Sequence, residues 1–195
     1  IIRYSLLILA VLTLTMTGTL HAQESNECRA EFSVAFRVGS SVIDPSFMHN
    51  ADNLDKIVGF IAEKSRDTSI VVTSVKFVGT YSPEGYIESN ERLARKRAVA
   101  LEQFIRERIA IPDNLVHINI CIDWDSLVDA VESSNLPNKQ QVVDILNSQP
   151  SRVVYSRTQS EDGRIVKLRN MDAGATWYTI KKRFLGNMRN AAAVF

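Results

Sequence analysis

The stretch Gly79-Thr80-Tyr81-Ser82-Pro83-Glu84-Gly85, with Asn90, Leu93, Ala94, Arg97 and Ala98 after it, constrains this chain more than any other. It reads as a strand end, a tight turn and a helix start. On a helical wheel of about 100° per residue, Leu93, Ala94, Ala98, Leu101, Phe104 and Ile105 form one apolar stripe. Asn90 and Arg97 fall inside that stripe, whereas Arg92, Arg95, Lys96, Gln103, Arg106 and Glu107 point away from it. A charge on the buried side of a helix is costly unless it is paired. Arg97 is therefore expected to meet a carboxylate of the protein or a ligand, and Glu84 in the turn is the internal candidate.

Alternation and helical periodicity extend this unit in both directions. Phe32 to Val38 alternates as a strand. Asp44-Pro45 reads as a helix start, with Leu54, Ile57, Val58 and Ile61 as the stripe that follows. Ile70 to Gly79 predicts a second strand, and a helix is expected from about Asn90 to Arg108, stopped by Pro112. Val116 to Asp123 predicts a third strand. The pattern is β-α-β-α-β, with crossover helices covering a sheet.

The second half changes character. Trp124 to Val131 and Val142 to Leu146 read as short amphipathic helices separated by Ser133-Ser134-Asn135-Leu136-Pro137. Pro150 to Gly163 is polar and reads as a loop or ribbon. Trp177, Ile180, Phe184 and Leu185 predict one more helix, and Ala191 to Phe195 a closing strand. Helices this short do not comfortably build a core of their own. The expected organisation is a core over 23–125, a helical insertion over 126–188 packed on it, and the closing strand in 189–195.

Residues 1–22 read as a secretory signal peptide. Arg3 supplies the positive start, Leu6 to Leu14 the apolar run, and Leu20-His21-Ala22 the cleavage site. The run is too short for a membrane span, and no cysteine at the cleavage point offers a lipid anchor. The expected location is the periplasm, associated with the outer membrane. Export permits disulfides. Cys28 and Cys121, however, fall on opposite strand faces by parity, which favours two separate thiols.

Several chemistries are not indicated. With a net charge of +1 there is no electrostatic footprint for nucleic acid. His21, His49 and His117 have no ligand spacing with each other or with the cysteines, so no metal is expected. There is no glycine-rich phosphate loop and no nucleophile elbow, and no cofactor is expected. Asp123 and Asp125 flank Trp124 and could form a general acid–base pair for glycan cleavage. The commoner reading of an aspartate there is a helix N-cap. Tyr81 and Tyr86 bracket the turn and could line a groove or simply pack it.

Gly85, Asn90, Leu93-Ala94 and Arg97-Ala98 keep a spacing that resembles the OmpA-like peptidoglycan-binding domain family. Phe36 to Pro45 and the helix after it resemble that family's first strand and helix. The Ser-Pro-Glu-Gly turn and the helical insert resemble its standalone Bacteroidetes form. The resemblance covers roughly residues 30 to 125 and the last strand. It implies an α/β (α+β) sandwich of order β-α-β-α-β-(insert)-β, with a mixed sheet and helices on one face. It also implies a non-enzymatic envelope module that binds the peptidoglycan stem peptide. The family's arginine falls on Arg97 and its aspartate on Ser82. Tyr81, Asn90 and Glu84 would complete the pocket. An OmpA-like protein-interaction domain serving surface or fimbrial assembly is the alternative. A glycan hydrolase using Asp123, Asp125 or Glu84 is a remote one.

Overall fold

The computed structural model describes residues 30–64, 66–68 and 71–195. The expected signal peptide, its expected cleavage site and Cys28 lie outside the described residues. The first half runs β1 (Glu31–Ala35), α1 (Asn50–Lys64), β2 (Val75–Thr80), α2 (Ile87–Arg106) and β3 (Val116–Cys121). The second half holds α3 (Trp124–Glu132), α4 (Lys139–Leu146), β4 (Arg152–Ser156), β5 (Gln159–Asp162), α5 (Gly163–Asn170) and α6 (Ala175–Arg183). A short 3-10 turn, Leu185–Met188, leads into β6 (Asn190–Val194).

The four-stranded sheet has the order β1-β6-β2-β3. β6 is antiparallel to both neighbours, and β2 and β3 are parallel. This is the mixed α+β sheet that the resemblance implies, with the last strand of the chain in its interior rather than at an edge. Val34, Phe36, Val75, Phe77, Ala191 and Ala193 pack against Leu54, Ile57 and Ile61 of α1 and Ala98, Leu101 and Ile105 of α2. Small residues let α2 lie close to the strands. A Cβ at Gly79 would sit 2.0 Å from the carbonyl oxygen of Ala94, so only glycine fits where the helix crosses.

Several boundaries differ from expectation for identifiable reasons. Asp44 does not start a helix; its Oδ1 accepts from Ser46 N at 2.9 Å and closes a turn, and α1 begins only at Asn50. β2 starts at Val75, because its neighbours offer partners only from there; Val71 is 79% exposed. β1 ends at Ala35, short of Val38. α2 begins at Ile87, directly after the turn, and ends at Arg106. β3 stops at Cys121, and Asp123 becomes the N-cap of α3. The polar Pro150–Gly163 segment is a ribbon, β4 paired antiparallel with β5, and α5 follows it where no helix was expected. Asp162 caps α5 by accepting from Arg164 N.

The second half also has more of a core than its short helices suggest. Leu127, Val131, Val142, Leu146, Leu168, Ile180 and Leu185 are buried together in a second apolar cluster. Each helix contributes only a few side chains, but α3, α4, α5 and α6 pool them.

Both edges of the main sheet carry unpaired backbone in principle. At β1, helix α1 supplies the missing partners from its side chains. Asn50 Oδ1 accepts from Ala35 N at 2.8 Å, and its Nδ2 donates to Ala35 O at 2.9 Å and to Asp44 O at 2.8 Å. Asn53 Nδ2 donates to Ser33 O at 3.0 Å. The Asn50 amide thus stands in for a strand residue and ends the sheet there.

Candidate functional site

The turn after β2 is built by three devices. Gly85 takes φ +83°, a left-handed value that ordinary side chains disfavour. Asn90, one turn into α2, donates from Nδ2 to Glu84 O at 2.7 Å and Ser82 O at 3.3 Å and holds the turn onto the helix. Thr80 Oγ1 accepts from Asn190 N at 3.0 Å, which ties the turn to the start of β6. Tyr81 and Ser82 are buried within it. Burial, and after it Glu91, pushes the Tyr81 hydroxyl up to about 12, so it stays protonated.

Arg97 is 1% exposed, yet it meets no carboxylate among the described residues. Its Nε donates to Ser40 O at 2.9 Å, Nη1 to Thr80 O at 3.3 Å and Nη2 to Arg37 O at 3.4 Å. The guanidinium also stands 5.4 Å from the ring centre of Phe36. It therefore binds the β1–α1 loop to the end of β2, using backbone carbonyls as acceptors. A carbonyl dipole satisfies an N–H but does not neutralise the charge. Burial, and then the nearby Arg189, lower the Arg97 pKa to about 10.

The internal pair Glu84–Arg97 does not form. Glu84 Oε1 accepts from Arg189 Nη2 at 3.2 Å, and Glu84 Oε2 lies 3.8 Å from Lys181 Nζ. Arg189 is the residue that sequence reasoning missed. A register-level signal for it exists: Gly79 pairs with Ala191, so Arg189 falls opposite Tyr81 two residues further on.

The β4–β5 ribbon covers one side of this region. Glu88, in the first turn of α2, accepts from Ser160 N at 3.0 Å, Ser160 Oγ at 2.7 Å and Arg152 Nη2 at 2.7 Å. Tyr155 of β4 packs edge-on against Tyr86, with ring centres 6.2 Å apart. Tyr155 also donates to Glu161, which takes a second bond from Arg169. Tyr86 thus belongs to the contact between ribbon and helix, and Tyr81 to the interior of the turn.

The remaining expected groups lie elsewhere. Asp123 Oδ1 accepts from Ser126 N at 3.0 Å and Oδ2 from Ser126 Oγ at 2.6 Å, the N-cap arrangement. Asp125 is exposed in the first turn of α3. Cys121, at the end of β3, forms no disulfide among the described residues, and partial burial raises its pKa. Among the described residues no group of His, Cys, Asp and Glu gathers that could hold a metal ion. No helix among them is long and apolar enough to cross a membrane.

No family model matches the chain, and no curated protein does. Among solved structures, it is similar to the OmpA-like domain of FopA1 from Francisella tularensis, at 16% sequence identity and a TM-score of 0.35. The likeness covers 48% of this chain and 56% of that one, so the chain spans about half the length of the structure it matches.

Proposed function

We propose that this chain is a non-catalytic OmpA-like module of the bacterial envelope. Its turn–helix mouth holds a carboxylate of the peptidoglycan stem peptide on Arg97, and Ser82, Tyr81, Asn90 and Glu84 shape the pocket. The observation that carries this reading is a buried arginine without an anionic partner among the described residues. Retaining an uncompensated cation costs stability, and a ligand carboxylate would offset that cost. The bonds at 3.3 and 3.4 Å from the terminal nitrogens are long for N–H···O contacts, whereas the Nε bond at 2.9 Å is ordinary. The fork can therefore pass to a carboxylate while Nε keeps hold of Ser40. Ser82 would add a neutral hydrogen bond, and Glu84 with Arg189 would lie beside the ligand as a paired carboxylate and cation. The expected signal peptide places the module in the periplasm, anchoring the outer envelope to the wall.

The test is cosedimentation with purified sacculi. Wild-type protein is expected in the pellet, and folded Arg97→Gln is expected to stay in the supernatant. Equal sedimentation of both would remove Arg97 from the role. A second reading, an OmpA-like protein-interaction domain for surface or fimbrial assembly, is favoured by the ribbon fixed over the start of α2. Failure of the wild-type protein to sediment, with an envelope protein still captured by cross-linking, would decide for that reading.

A further inference from the structure

The net charge of +1 conceals an uneven distribution. After Asp162, every charged side chain except Asp172 is a Lys or an Arg. Asp172 is committed within the fold, since its Oδ2 accepts from Thr176 Oγ1 at 2.6 Å and from Asn138 Nδ2 at 2.7 Å. Some of the cations are committed too: Arg164 to Asp162, Arg169 to Glu161 and Arg189 to Glu84. Lys167, Lys182 and Arg183 are exposed and meet no carboxylate among the described residues. Lys181 reaches Glu84 only at 3.8 Å and stays half-exposed.

The surplus charge gathers on α6. Tyr178, Lys181 and Lys182 stand three and four residues apart, which puts them on one face of the helix, opposite the buried Trp177 and Ile180. Arg183 lies at the flank of that face. Tyr178 is 66% exposed. The surface beside the helix supplies no acid. The connection from Ser133 to Asn138 touches α6 at both ends and is uncharged. Asn135 Oδ1 accepts from Arg183 Nη1 at 3.1 Å, and Asn138 Nδ2 donates to Thr176 Oγ1 at 2.7 Å. The helix dipole favours cations in a last turn, but it makes no demand for an aromatic ring in water beside them.

We infer that this face of α6 rests on an anionic lipid surface. A tyrosine among lysines suits the layer between headgroup and acyl chain, with the ring at the apolar boundary and the ammonium groups among the phosphates. The free charges on the face are lysines, point charges on long stems. Those suit a fluid array of headgroups, whereas carboxylates held in fixed geometry favour the arginine fork. A single helix of nine residues also presents a convex line of side chains, which a plane can meet along its length. The inference does not draw on Arg97, so the two can fail independently.

The experiment is flotation of the full chain with phosphatidylcholine vesicles, with and without about 30% phosphatidylglycerol. The neutral vesicles set the baseline, including whatever the apolar run Leu6 to Leu14 contributes. Binding above that baseline is expected on the anionic vesicles, and it should disappear at about 0.5 M NaCl. Lys182→Gln should weaken it about fivefold, the effect of one basic residue at such a surface. Tyr178→Ala should weaken it by a comparable factor. Neither side chain bonds anything among the described residues, so both variants should keep the wild-type amide spectrum. Lys76→Gln removes an exposed charge from β2 and should leave vesicle binding unchanged. Equal binding to the two kinds of vesicle, or equal losses from Lys182→Gln and Lys76→Gln, overturns the inference. Binding of poly-glutamate as tight and as dependent on Lys182 would assign the face to an acidic polypeptide and overturn it as well. Lys182→Gln should sediment with sacculi as the wild type does. If sacculi bind while the vesicles do not, the Arg97 reading stands alone.

Discussion

Arg97 shows how far a single residue can be read from sequence. Its place on an apolar stripe demanded a partner, and the turn with Asn90 supplied the local geometry. The partners themselves come from residues 37 and 40, far back in the chain, and from Thr80. No spacing rule names a backbone carbonyl that distant. Gly79 is the complementary case. It reads as an ordinary strand residue, but the 2.0 Å that a Cβ would leave to Ala94 O makes it irreplaceable. Gly79→Ala is expected to destabilise the protein by about 3 kcal/mol or more, since the obstructing atom is backbone and cannot turn aside. A urea midpoint unchanged from wild type would show that α2 can lift off the sheet at little cost.

Among the elements, the β4–β5 ribbon was the least legible. Its polar composition left loop and ribbon both open, and what decides for the ribbon is its docking on α2 through Glu88. The Glu88 carboxyl is held at about 2, from an ordinary 4.5, first by the Ser160 hydroxyl and then by its backbone and Arg152 contacts. A lowered carboxylate pKa stabilises the docked state fully above about 4.5, and this contribution is lost as pH falls through about 2. Amide protection factors in β4 and β5 should therefore drop between those values, ahead of those in β2 and β6. Glu88→Gln should show the low ribbon protection already at neutral pH. A ribbon that loses protection only together with the sheet would show that Glu88 does not hold it.

At the scale of the molecule, the chain closes on itself. β6 lies between β1 and β2, pairing antiparallel with both, so the last strand joins the two halves of the sheet. A chain ending at Met188 removes Ala191 and Ala193 from the core and leaves β1 without a strand partner. It is expected to give the collapsed amide spectrum of an unfolded protein. A dispersed spectrum would mean that β2 and β3 with their helices fold alone.

The amino-acid sequence by itself determined the local units: strand periods, helix stripes, the glycine turn and a charged residue placed where charge is costly. Those follow from contacts within a few residues, which spacing encodes directly. Only the tertiary structure decided the rest: β6 at the centre, Glu84 with Arg189 rather than Arg97, the ribbon over the start of α2, and Asn50 finishing the edge of β1. Each of these joins segments distant in the chain. Their meeting depends on strand register and on the closeness of helix to sheet, which no single segment carries.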